Sequence, residues 1–230
     1  MAVKFRRSWV PNLVTSSNLF CGFLAVIAAV DQQPFQAAVL ICLAASFDTL
    51  DGRAARALGV SGEFGKELDS LADVVSFGVA PALLIYQTAL HEAGLLGTIA
   101  AGIFVCCGAG RLARYNLITT SDKRFFVGMP IPMAGMTAAS LALYNAGTLN
   151  SYVATAIIGF VGFLMISTIR FPSLEQLAFE ALIPIRVMFL AIFVLALARP
   201  GQFLYIMPLV YITYGLLMNM IWKVRRPKVI

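Results

Sequence analysis

Eight apolar stretches, separated by short polar or Gly/Pro-bearing breaks, constrain this chain more than any other feature. They run approximately over residues 12–30, 36–58, 65–90, 94–117, 131–146, 152–169, 184–198 and 203–224. A helix needs about 20 apolar residues to cross a bilayer core, so the shorter stretches, with the first and seventh, are weaker as full spans. In lipid every backbone polar group must be satisfied within the protein, which leaves helices and closed barrels. These runs are too long for barrel strands and do not alternate. The chain is 60% hydrophobic and 12% charged over 230 residues, with about half the charge of an ordinary soluble domain. The expected fold class is all-α: a polytopic transmembrane helix bundle of about eight helices. No linker-like polar tract divides it, so residues 1–230 are expected to form one integral membrane domain.

The basic residues set an orientation. With the N-terminus inside, the inner segments collect Lys4, Arg6, Arg7, Arg53, Arg56, Lys66, Arg111, Arg114, Lys123, Arg124, Arg170, Arg186, Lys223, Arg225, Arg226 and Lys228. Arg199 alone falls outside, so 16 of 17 Lys and Arg lie on one side. That asymmetry predicts an even number of spans with both termini in the cytoplasm. It also explains the net charge of +6 through topology and anionic headgroups, without nucleic acid as a partner. Residues 177–186 are ambiguous and could form a short interfacial helix. Cys21, Cys42, Cys106 and Cys107 lie within apolar runs without ligand-like spacing, and read as small buried hydrophobes. His91 is assigned no role, and no cleavable leader is evident at the N-terminus.

Against this background, four aspartates stand out. Asp48 and Asp51 lie in the second apolar run, Asp69 and Asp73 in the third. Each carboxylate near the bilayer interior costs about 2.5–3.5 kcal/mol on insertion scales, and intramembrane ionisable groups mark function by default. At about 100° per residue, Asp48, Asp51, Gly52, Ala55 and Arg56 share one helix face. Gly65, Asp69 and Asp73 repeat every four residues and form one stripe. The breakers from Gly59 to Gly62 predict a tight turn that makes the two helices antiparallel neighbours. The acidic faces can then converge at the cytoplasmic end. Four carboxylates suit hard cations such as Mg²⁺ or Mn²⁺, two of which could be held together. A two-metal clamp suits phosphorus chemistry. Gly52, Ala55 and Gly65 leave those faces uncrowded for a bulky substrate. Taken without further spacing, the same aspartates would also serve an ion or proton pathway, or pair with Arg53, Arg56 and Lys66.

The full spacing is D-x-x-D-G-x-x-A-R, eight residues, then G-x-x-x-D-x-x-x-D, and each fixed position is met at Asp48, Asp51, Gly52, Ala55, Arg56, Gly65, Asp69 and Asp73. In this the chain resembles the CDP-alcohol phosphotransferase family of integral membrane enzymes. The resemblance implies transfer of a phospho-alcohol group from a CDP-alcohol to a second alcohol, with release of CMP. It implies that Asp48, Asp51 and Asp69 bind two divalent cations. Asp73 would lie near those ions as a further ligand and act as the catalytic base on the acceptor hydroxyl. Asp51, Gly52, Ala55 and Gly65 would contact the nucleotide, and Arg56 would support the diphosphate or the acidic cluster. A homodimer is typical of such enzymes.

The signature leaves the acceptor open. Gly110, Arg111, Leu112, Ala113, Arg114, Tyr115 and Asn116, then Phe125 to Pro132, with Pro11-Asn12 and Ser17-Asn18-Leu19, are similar to family members that use CDP-diacylglycerol as donor and L-serine as acceptor. Met129 stands where that branch commonly has Leu. The resemblance covers roughly the first 135 residues. Arg111 and Arg114, three apart and so on one side of a helix, suit a carboxylate or a phosphate, and equally serve as positive-inside anchors. Asn116 could meet an amino alcohol or cap its helix. The segment Gly128 to Pro132 reads as a rigid lead into the fifth helix. Expected partners are CDP-diacylglycerol, L-serine and membrane lipids, with the site facing the cytoplasm of a bacterial inner membrane or its equivalent. An archaeal lipid donor stays open. Rival readings are the same chemistry with glycerol 3-phosphate or an inositol compound as acceptor, a divalent cation transporter, and a purely structural membrane protein.

Overall fold

The fold is given by a computed structural model that describes residues 9–60, 62–117, 125–144, 149–172, 191, 194–195 and 204–225. Helix α1 (Trp9–Val30) turns through Asp31 and Gln32, the latter left-handed at φ 56°, into α2 (Pro34–Leu58). Pro34 opens α2 where a missing N–H costs nothing. Gly59 closes α2 at φ 64°, its N–H returning to the carbonyls of Ala55 and Arg56, a cap that favours glycine. After Gly62 the chain reverses into α3 (Glu63–Asp73). Helix α1 packs against both α2 and α3, whereas α2 and α3 make few direct contacts with each other, so the expected side-by-side hairpin is replaced by two helices bridged by α1.

The third apolar run is not a uniform helix. A π-helical turn at Val74–Val79 follows α3, then α4 (Ala80–Ile85), a second π segment at Tyr86–Leu90 and a 3₁₀ turn at His91–Ala93. Pro81 accounts for the first widening. A proline inside a helix removes one N–H and crowds the carbonyl four residues back, here that of Phe77. Widened turns relieve that clash. The displaced Phe77 backbone is met by Gly135, where an added Cβ would lie 2.8 Å from the Phe77 carbonyl oxygen.

Helix α5 (Leu95–Leu117), α6 (Ile131–Tyr144), α7 (Ser151–Ile166) and α8 (Ile206–Arg225) complete the described helices. A small departure from the all-α expectation joins them. Strand β1 (Phe125–Val127) pairs antiparallel with β2 (Arg170–Pro172), Phe126 opposite Phe171. Among the described residues, four helical segments are long and apolar enough to cross a membrane: Trp9–Val30, Pro34–Leu58, Glu63–Ala93 and Leu95–Leu117. Ile131–Tyr144, Ser151–Ile166 and Ile206–Asn219 are shorter apolar helices. The helix expected at 184–198 and the ambiguous stretch at 177–186 lie almost entirely outside the described residues.

Burial has the sense expected in lipid. Helices α1 and α2 pack on Ala25, Ala28, Ala29, Ala37, Ala38, Ala44 and Ala45, while Leu13, Phe20, Phe23 and Leu43 face outward. Hydrocarbon offers no drive to hide large apolar groups, so contacts form where small residues let backbones approach. One such approach is at Gly22, where an added Cβ would overlap Ser76 Oγ and lie 2.8 Å from Ser76 Cα.

Candidate metal and transfer site

The chain reversal between α2 and α3, with α1 packed against both, brings the expected aspartates together. One carboxylate oxygen from each of Asp48, Asp51 and Asp69 lies within 4.8 Å of the others. Asp51 is buried, while Asp48 and Asp69 are half-buried. Asp73 stands one turn further along α3, is buried, and lies close enough to Asp48 and Asp69 to feel both charges. The ligand set of four expected from the sequence thus divides into three close carboxylates and one neighbour.

Helix α1 completes the site with two residues to which sequence reasoning assigned no role. Thr15 Oγ1 donates to Asp51 Oδ2 at 2.7 Å, and Asn18 Nδ2 donates to Asp73 Oδ1 at 3.4 Å. They are three apart on α1, hence on one face. Ser76 Oγ in turn donates to the Asn18 backbone carbonyl at 3.0 Å, fixing α1 against the π turn. A polar Asn within an apolar run was the available signal for this face. Thr15 gave none, being uncharged and common in such helices.

Buried polar atoms are ordinarily paired, so exceptions are informative. Among the described residues, Asn18 Oδ1, Asp69 Oδ1 and Arg111 Nε are buried without a partner. Two acceptors and one donor, all beside the carboxylates, are what a site awaiting ligands would leave open. The acceptor on Asp69 has the chemistry of a cation ligand, and hard oxygen donors suit Mg²⁺ or Mn²⁺.

The remaining expected residues sort by neighbour. Gly52 and Ala55 are half-buried on α2 and Arg56 is exposed. At Gly52 an added Cβ would meet Arg56 Nη1 at 3.7 Å, an ordinary contact, so no protein atom there requires glycine. At Gly65 it would meet Asn12 Oδ1 at 3.3 Å. Arg111 is buried on α5, and its charge reaches Asp48 and Asp73. Arg114 is placed differently despite sharing that helix. Its Nη1 donates to the Ile166 carbonyl at 2.9 Å; its Nη2 donates to Val127 at 2.9 Å and lies 3.3 Å from the carbonyls of Met165 and Ser167. A guanidinium spent on four carbonyls clasps β1 to the end of α7. Asn116 Nδ2 donates to Ser70 Oγ at 2.9 Å, and Lys66 Nζ donates to the Asn116 carbonyl at 3.1 Å. Asn116 therefore ties α5 to α3 on the side of the acidic stripe.

Comparison with known proteins points the same way. Residues 8–166 match the model of the family described as CDP-alcohol phosphatidyltransferase. A Helicobacter pylori (strain J99) protein named CDP-diacylglycerol–serine O-phosphatidyltransferase is 35% identical over 213 residues, covering 90% of this chain and 89% of its own. A Bacillus subtilis protein of the same name is 38% identical over 178 residues, 76% of this chain and 96% of its own. An archaetidylserine synthase of Methanothermobacter thermautotrophicus is 39% identical over 169 residues, 72% of this chain and 70% of its own.

Proposed function

This chain belongs to the CDP-alcohol phosphatidyltransferase family, and from that premise we propose that it transfers the phosphatidyl group of CDP-diacylglycerol to L-serine. Phosphatidylserine and CMP are the products. The observation that carries the reading is the convergence of Asp48, Asp51 and Asp69 within 4.8 Å, in a chain whose relatives are named for a serine acceptor.

The serine hydroxyl attacks the phosphorus that bears the diacylglycerol. The bond from that phosphorus to the oxygen bridging to CMP breaks, and CMP leaves with the oxygen and its electron pair. Asp73 takes the hydroxyl proton, since an alcohol is a weak nucleophile until deprotonated. Asn18 aims the Asp73 carboxylate through its amide. Asp48, Asp51 and Asp69 would hold two divalent cations, Mg²⁺ or Mn²⁺, with Asp73 at their margin. Such ions supply neutralisation of diphosphate charge. Gly52, Ala55 and Gly65 leave room for the nucleotide beside Asp51, and Arg56 flanks the diphosphate. Arg111 receives the acceptor carboxylate. Asn116 holds α5 to α3, and Arg114 holds the clasp behind Arg111.

The finer architecture belongs to the same reading. Residues 1–230 form one domain of eight spans, with both termini and the site on the cytoplasmic side of a bacterial inner membrane or its equivalent, and two chains associate. The charge asymmetry of 16 basic residues against one supports this topology. Lipid tails reach the site sideways from the bilayer, and serine arrives from water.

A second reading of the donor has its own support. The archaeal relative is named for archaetidylserine, so an archaeal CDP-activated lipid is the alternative donor. The test is purified protein with either donor and labelled L-serine, glycerol 3-phosphate or inositol. Serine-dependent CMP release, lost with EDTA and restored by Mg²⁺ or Mn²⁺, is expected. CMP release with another acceptor alone would reassign the substrate. Metal flux into liposomes without CMP release would make the chain a transporter.

A further inference from the structure

Arg111 lies in an unusual setting for a buried cation. It is 6% exposed, its Nε has no partner, and its guanidinium carbon lies 5.9 Å from the Tyr115 ring centroid and 5.7 Å from that of Phe126. Ring faces attract and orient a guanidinium without neutralising it. A guanidinium so held keeps its donors for an incoming anion.

What holds the cage is the two-stranded ribbon. Phe126 of β1 and Phe171 of β2 are direct partners across it, and opposed residues of an antiparallel pair project from the same face. On that face Phe126 meets Arg111, and Phe171 stacks on Tyr211 at 5.6 Å between centroids and 13° between planes. Tyr211 is 1% exposed and comes from α8, beyond the matched residues 8–166. One turn along α8, an added Cβ at Gly215 would overlap Phe171 Cδ1 and lie 2.6 Å from Cε1. Helix α8 is thus fitted to Phe171 at two successive turns.

We propose that Tyr211 is a positioning residue for Arg111, so that α8, outside the family-matched region, sets how tightly the acceptor's carboxylate is held. This rests on the reading of Arg111 as the acceptor's anchor. Tyr211→Leu removes the ring on which Phe171 stacks. It should raise KM for serine about tenfold, the order expected when one hydrogen bond to the carboxylate is misaligned. The kcat at saturating serine, KM for CDP-diacylglycerol and the cation requirement should stay unchanged. Tyr214→Phe, on the same helix and 40% exposed, should leave every constant unchanged. In an Arg111→Lys background, Tyr211→Leu should add nothing further, because the two residues act as one unit. Phe171→Leu, which removes the other half of the stack, should reproduce the serine KM defect.

Wild-type serine KM in Tyr211→Leu, an equal rise in both substrate KM values, or an undiminished effect in the Arg111→Lys background would each overturn the assignment. If the wild type itself releases no CMP with serine, the proposed function falls first. An active wild type with an indifferent Tyr211→Leu sinks the inference about Tyr211 alone.

Discussion

Thr15 and Asp51 stand 36 positions apart and meet through a 2.7 Å hydrogen bond. Helix α1 thereby orients a carboxylate that α2 supplies. Thr15→Val keeps the side-chain shape and removes the donor. Partners of ligating carboxylates commonly matter by about 10–100-fold, so the cation concentration for half-maximal CMP release should rise about tenfold. Thr15→Ser should recover most of the loss. A metal titration of initial rates checks this, and equal half-saturation in all three proteins would refute it.

Asp69 and Asp73 lie one turn apart and should fail in different ways. Asp69→Asn removes a member of the close triad, and cation-induced thermal stabilisation should vanish with activity. Asp73→Asn should keep that stabilisation while turnover falls by about 10²–10⁴-fold, the usual range for a lost general base. Thermal shift with Mn²⁺, run beside a CMP assay, separates the two. Full turnover in Asp73→Asn with intact metal binding would remove the base assignment.

Two glycines give a second contrast. Gly22→Ala drives a methyl into Ser76, and overpacking of this kind costs about 1–3 kcal/mol. The melting temperature in detergent should fall. Gly52→Ala meets nothing closer than 3.7 Å, so stability should hold while affinity for the CDP-linked donor drops. A Gly52→Ala protein with normal donor KM would show that the space beside Asp51 is not the nucleotide's.

The Arg114 clasp should be intolerant of lysine. One ammonium lacks the planar fork that reaches carbonyls on two segments. Arg114→Lys should therefore lower stability about as much as Arg114→Ala. Gly128→Ala should do so as well: Gly128 sits at φ 82°, and an added Cβ would overlap the Met165 carbonyl oxygen and lie 2.8 Å from Arg114 Nη2. Thermal melts of the three variants decide it, and a lysine variant as stable as wild type would count against the clasp.

The acidic half of the site was legible because charge is rare in apolar helix and its spacing translates directly into a helix face. Asp48, Asp51 and Asp69 could be placed together from the sequence for that reason. Arg111 and Arg114 show where the same logic stops. Their spacing put them on one side of α5, yet Arg114 is claimed by carbonyls up to 53 residues away, which no local pattern encodes. The three-residue strands of the ribbon were equally silent, being too short for an alternation signal. Thr15 escaped notice because a hydroxyl in an apolar run reads as ordinary. The widened turns after Asp73 were missed because Pro81 marks a disturbance without saying how the backbone absorbs it.

Those wide turns at Val74–Val79 carry a further consequence. A π-helical turn holds more chain than an α-turn over the same height. Wound as ordinary α-helix with every residue kept, the stretch would turn about 100° further and rotate everything upstream relative to Ala80 onward. Asp69 and Asp73 would swing out of phase with the neighbouring helix, although no contact of theirs had been mutated. The width of this winding, in a stretch that holds no carboxylate of the site, is what keeps two remote rows of acids in step.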